Sequence, residues 1–129
     1  MTLDEFEKLK PSLLEQNKEI YLPITKENLL LILKGEKTKD YRENSLYNAE
    51  KLCYSVLYAD GIKYGVGKPE IKTVLFLAGR NKEALRARIE VQMIRTEKFI
   101  QNVPENFKQG DTAITIYLGQ ILETNYKKP

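Results

Sequence analysis

Apolar residues recur at helical spacing in two stretches near the start of the chain and alternate with polar ones through most of the rest, a pattern that predicts helices early and strands later. Thr2-Leu3-Asp4-Glu5 reads as a capping box, and Leu3, Phe6 and Leu9 fall on one side of the helix that follows. Pro11 is expected to limit that helix, with Leu13 and Leu14 adding a second turn. Residues 1–19 therefore form an N-terminal helical extension packed on a domain of residues 20–129. Residues 20–24 read as a first strand, and Pro23 places it at a sheet edge or marks its end. The next helix is the best specified of all: Thr25 caps it, Glu27 meets the positive end of its dipole, and Leu29, Leu30 and Leu33 form its apolar stripe. Gly35 stops it in the left-handed conformation that glycine takes without a Cβ penalty.

Residues 37–42 are too polar for a core strand, yet their threonine and tyrosine suit an edge. With side chains alternating, Asp40 and Arg42 share a face with Thr38, and Lys37 leans toward the same side from the turn. That ledge of cation, anion and cation is either a solvated strand edge guarded by charge or a site. Residues 43–72 are rich in tyrosine and glycine. Asn44 or Ser45 can cap a short helix, residues 54–58 read as a strand, and Gly65, Gly67 and Pro69 read as a loop with too little of a phosphate-binding signature to name one. The tyrosines at 41, 47, 54, 58 and 64 either stack bases beside the ledge or are strand residues with one wet end.

Residues 74–77 are a compact apolar run, followed by a turn at 78–82. From 84 to 94 the chain alternates: Leu85, Ala87, Ile89, Val91 and Met93 face inward, and Arg86, Arg88, Glu90 and Gln92 face out. That outer row is either plain surface or, if its strand borders the ledge, places Arg86 or Arg88 on phosphates and Glu90 near Lys37. Residues 99–109 should lid one end as a short helix or loop, residues 112–122 should close the sheet as a long strand, and residues 125–129 should fray. The sum is an α+β fold whose sheet curls into a small barrel, with an early principal helix and minor flanking helices.

Composition removes whole mechanisms. The 129 residues include no histidine and one cysteine, which excludes Ser-His-Asp and Cys-His catalysis, a Cys/His zinc site and an internal disulfide. Cys53 reads as a small buried hydrophobe, and neither a metal nor a cofactor is called for. The acidic, amphipathic start and the lack of a long apolar run point to a cytoplasmic protein without a membrane segment. The net charge of +3 is uneven: residues 1–20 hold five acids and three bases, and the remainder 18 bases and 13 acids, a mild bias compatible with a polyanion. The oligomeric state is left open.

The stretch from the capped helix through Gly35, Lys37, Asp40 and Arg42 resembles the signature of the ASCH family, which is similar to PUA domains and carries G-x-K-x-x-E-x-R after its first helix. Asp40 stands where that family has glutamate, one methylene longer. The resemblance implies a small PUA-like β-barrel that binds RNA in a cleft beside its first helix. Gly35, Lys37, Asp40 and Arg42 would line that cleft; the reading of the residues themselves adds Tyr41 as a stacking ring and Arg86 and Arg88 as phosphate contacts. Lys37 and Arg42 would contact phosphate or base edges, and Asp40 would orient Arg42 or accept from a base amine. Some small proteins similar to the family hydrolyse acetylated cytidine with a lysine, a threonine and a glutamate. On that alternative Lys37, Asp40 and Glu90 would be catalytic, although Asp40 occupies the position of the threonine. A third alternative is a protein-interaction module using the acidic N-terminal helix. The expected partners are accordingly RNA or a modified nucleoside.

Overall fold

The computed structural model describes residues 1–128; of the tail expected to fray, Pro129 lies outside the described residues. The organising helix forms as its sequence demands. Thr25 Oγ1 accepts from Asn28 N at 3.2 Å and starts α2, Lys26–Leu33. Gly35, at φ 79°, ends it: Gly35 N donates to Ile32 O and Glu36 N to Leu31 O, the paired bonds of a Schellman turn. The buried stripe is Leu29, Ile32 and Leu33, with Leu30 half-buried beside it and Leu31 turned outward.

This stripe fills the hollow of a curled five-strand sheet. Its strands are β1 (Lys18–Pro23), β2 (Lys39–Glu43), β5 (Ile71–Leu77), β6 (Arg86–Lys98) and β7 (Thr112–Thr124), in the order β1-β5-β6-β7-β2. The β1–β5 pair is parallel and the others are antiparallel, so the fold is α+β with a mixed half-barrel sheet. A hairpin of β3 (Cys53–Leu57) and β4 (Lys63–Gly67) follows the short helix α3 (Leu46–Leu52), whose cap is Ser45. Inside the curl, Leu29, Val74, Phe76, Ile89, Ile114 and Ile116 are fully buried.

The two edge strands, β1 and β2, approach each other where the curl stays open. Arg42 Nη1 donates to Pro23 O at 2.8 Å and Lys51 Nζ to Tyr21 O at 2.6 Å, so two cations satisfy carbonyls on the β1 edge that no strand reaches.

Several local expectations change. Pro11 sits inside α1, Leu3–Leu14, rather than ending it. Phe6 is buried against the Tyr54 ring, and Leu57 N donates to Met1 O, which packs the N-terminal helix on β3. The expected loop at Gly65 and Gly67 is strand β4, which crosses so close to β6 that a Cβ at Gly67 would overlap the Ile94 carbonyl. The inward face of β6 holds for Ala87, Ile89 and Val91 and then slips. Register shifts between Ile89 and Met93 leave Met93 44% exposed and bury Ile94 instead. Residues 99–110 form a loop, one of the two forms expected of 99–109. Asn125 is anchored rather than frayed, accepting from Arg86 N and donating to Ala84 O.

Candidate functional site

Strand β2 pairs with β7 on one side only, and a cleft of about 820 Å³ runs along its other edge. Alternation sorts the motif. Asp40 and Arg42, opposite Ile116 and Ile114, turn into the curl; Tyr41, opposite Thr115, turns outward, where its ring packs edge-on against Phe99 and Phe107 at 5.5 and 6.3 Å. Because β2 is an edge, the cleft touches both faces. The N-terminal turn of α2 forms one wall and residues 104–107 the other.

Asp40 is 96% buried, and its Oδ2 accepts from Arg42 Nε at 2.6 Å. Burial pushes the Asp40 carboxyl above its ordinary value of 3.8, and the nearby charges of Arg42 and Lys37 pull against that rise. With Nε on Asp40 and Nη1 on Pro23 O, the Arg42 guanidinium is fixed in place, and its Nη2 has no partner among the described residues. The guanidinium carbon also lies 5.9 Å from the Phe76 ring centre. Lys37 is half-buried, its Nζ lies 5.8 Å from the Tyr41 ring centre, and no ion pair holds it among the described residues.

The expected residues thus divide. Lys37, Asp40, Tyr41 and Arg42 meet in the cleft; Gly35 sits behind it, lining a shallow hollow with Lys37 and Thr38. The structure does not bring Arg86, Arg88 or Glu90 to it, because β7 lies between β6 and β2. Arg86 donates to Lys82 O. Arg88 is bound by Glu19 and Glu123, each at 2.5 Å, and the Glu19 bond holds that carboxyl below its usual value. Glu90 lies beside Gly119. Of the five clustered tyrosines, Tyr41 alone lines the cleft; Tyr54 donates to Glu70, and Tyr58 and Tyr64 stack edge-on at 5.0 Å. Cys53 is buried, with its thiol pushed up to about 11, which leaves it inert at neutral pH.

Sequence reasoning missed Thr25, Glu27, Asn28, Glu43, Glu105, Asn106 and Phe107 as lining residues. Helical geometry puts the first three beside the motif once α2 packs in the curl. Residues 104–107 carry no local signal beyond Pro104 and the turn that Asn106 makes at φ 72°. They matter for charge: the lining holds the carboxylates of Glu27, Asp40, Glu43 and Glu105 against the cations Lys37 and Arg42. The cleft is therefore acidic on balance.

No known protein family, curated protein or solved structure matches the chain. The cleft must speak for itself. Among the described residues no cluster of Cys, Asp and Glu could hold a metal ion, and no helix is long and apolar enough to cross a membrane.

Proposed function

We propose that the cleft along β2 takes an unpaired nucleobase of single-stranded RNA and reads its edge, in a domain of the PUA-like, ASCH type that the motif resembles. The observation that carries this reading is the Asp40–Arg42 pair, a buried carboxylate holding a guanidinium at the cleft floor with N–H groups to spare. A fixed, planar donor beside carboxylates suits a base, whose edge offers both acceptors and amine donors. Glu27, Glu43 or Glu105 would accept from an exocyclic amine, Arg42 would donate to a ring nitrogen or carbonyl, and Lys37 would meet the adjoining phosphate. A volume of about 820 Å³ holds a nucleoside with room for its neighbours. The acidic lining disfavours a long run of phosphates, so affinity should fall only gently with salt.

The second reading is hydrolysis of an amide on such a base, as in acetylated cytidine. It is favoured by Thr25 lining the same cleft as Lys37, whereas Thr38 does not line it. Against it, Thr25 Oγ1 already accepts from Asn28 N as the cap of α2.

Lys37 separates the two. The test titrates a single-stranded RNA oligomer and acetylated cytidine into the wild type, Lys37→Arg and Lys37→Met, and assays release of acetate. Under the binding reading Lys37→Arg keeps most of the affinity and Lys37→Met loses about tenfold, roughly 1.4 kcal/mol. Wild-type acetate release that vanishes in Lys37→Arg would overturn binding in favour of hydrolysis, because guanidinium cannot act as a base at working pH. RNA affinity unaltered in Lys37→Met would move the site elsewhere.

A further inference from the structure

A second concave surface lies at the opposite end of β5, between α1, the end of β4 and the middle of β6. Its walls are Phe6, Leu14, Val91 and Met93, and its rim carries Lys10 and Lys72 with Lys68 between α1 and β5. No acidic residue lines it, and no ion pair engages these lysines among the described residues. Lys68 lies 5.5 Å from the Tyr54 ring centre, which in turn packs on Phe6. The slip in β6 that turns Met93 outward supplies the flexible apolar wall.

We propose that this groove docks an acidic segment of a partner protein, with one apolar side chain seated between Leu14 and Met93 and flanking Asp or Glu residues on the three lysines. Two observations choose this occupant. The volume, about 260 Å³, is below the roughly 300–1,000 Å³ usual for small-molecule sites and suits a single anchoring side chain. Nucleic acid would match the lysines but wants an open aromatic face for its bases, and the one aromatic in the lining, Phe6, is 97% buried. Charge complementarity would steer the acidic segment in, and the apolar anchor would set its residence. This proposal is independent of the cleft. It also changes the role of α1, whose acidic residues suggested the interacting surface: the helix instead gives Lys10 and Leu14 to a basic groove.

The test uses the full chain labelled with ¹³C at its methionine methyls, of which there are two, Met1 and Met93. The probe is a synthetic twelve-residue peptide of Asp, Glu and Ser with one central leucine. Its controls are the same peptide with leucine replaced by serine, one with all acids replaced by their amides, and a single-stranded oligonucleotide. The expected result is salt-sensitive binding that shifts the Met93 methyl resonance, weakened at least tenfold in either control peptide and in Lys10→Glu/Lys72→Glu. Binding that leaves Met93 unshifted, or that survives loss of the leucine, overturns the proposal. So does tighter binding of the oligonucleotide at the same methyl, which would make the groove a nucleic-acid site, and so does no binding of the peptide at low salt.

Discussion

The cleft along β2 and the groove under α1 are both concave surfaces with lysine in the lining and a buried carboxylate close by, yet their charge is opposite. In the cleft two cations face four carboxylates; in the groove three lysines face none. The buried carboxylates are also served differently. Asp40 accepts from a guanidinium, whereas Glu70, in the turn that carries Lys68 and Lys72 to the groove, accepts from the Tyr54 hydroxyl and leaves Oε1 without a partner among the described residues. The Tyr54 hydroxyl is pushed up to about 12 by burial first and by Glu70 second. Every described ion pair uses arginine: Arg42, Arg88 and Arg95. Arginine's fork suits fixed structural pairing, while the three groove lysines form no ion pair among the described residues. The cleft thus holds its guanidinium fixed, and the groove leaves its lysines without ion pairs among the described residues.

The largest effect should come from Gly67→Ala, which strikes the groove. A Cβ there meets the Ile94 backbone, which cannot swing away as a side chain would, so we expect a loss of about 3 kcal/mol in urea denaturation. A loss under about 1 kcal/mol would mean that β4 does not need its close crossing of β6.

Arg42→Ala strikes the cleft with nearly the same force. It strips a buried carboxylate of its counter-ion and should cost about 3 kcal/mol at neutral pH. The sign with pH follows from Asp40. Its folded value is raised above 3.8, so the native state keeps the proton where the unfolded chain has released it. Stability linked to this group is full below pH 3.8 and falls as pH rises through the folded value. Removing Arg42 raises that value further, so the variant's deficit should be greatest at neutral pH and narrow as the solution is acidified. Denaturation of both proteins between neutral and acidic pH checks it; a deficit constant across the range would deny that Asp40 is charged in the fold.

Tyr54→Phe is the parallel change behind the groove, and the comparison predicts a smaller loss, about 1–2 kcal/mol, because the donor removed from Glu70 is neutral. A loss equal to that of Arg42→Ala would erase the distinction between the two carboxylates. Smallest of all is Gly119→Ala in β7, in the shallow hollow behind the cleft. There the new methyl meets the Glu90 carboxylate, the free end of an exposed side chain that can move, so stability should stay within about half a kcal/mol. A large loss there would show that Glu90 is held.

Much of the cleft was legible because its core is local. The cap at Thr25, the stop at Gly35 and the alternation through Lys37, Asp40 and Arg42 all act within a few residues, and the structure keeps each. Arg88 and Glu90 misled because a strand's outer row looks the same whether or not it borders a site. Glu105 and Phe107 were invisible for a related reason: they reach the cleft through a loop more than sixty residues beyond the motif.

The sequence by itself determined what short-range forces decide: the capped helix, the alternating strands, the edge character that Pro23 and the charges give to β1 and β2, and the absence of histidine chemistry. Tertiary structure alone decided which alternating faces meet. It set strand order, so that β7 separates Glu90 from Lys37, and it slipped β6 by one residue, so that Met93 faces the groove and Ile94 the core. The reason is that a strand's periodicity records which residues share a face and nothing about its neighbour. Register, curl and the sign of a cleft's charge arise only when segments distant in sequence compete to bury the same hollow.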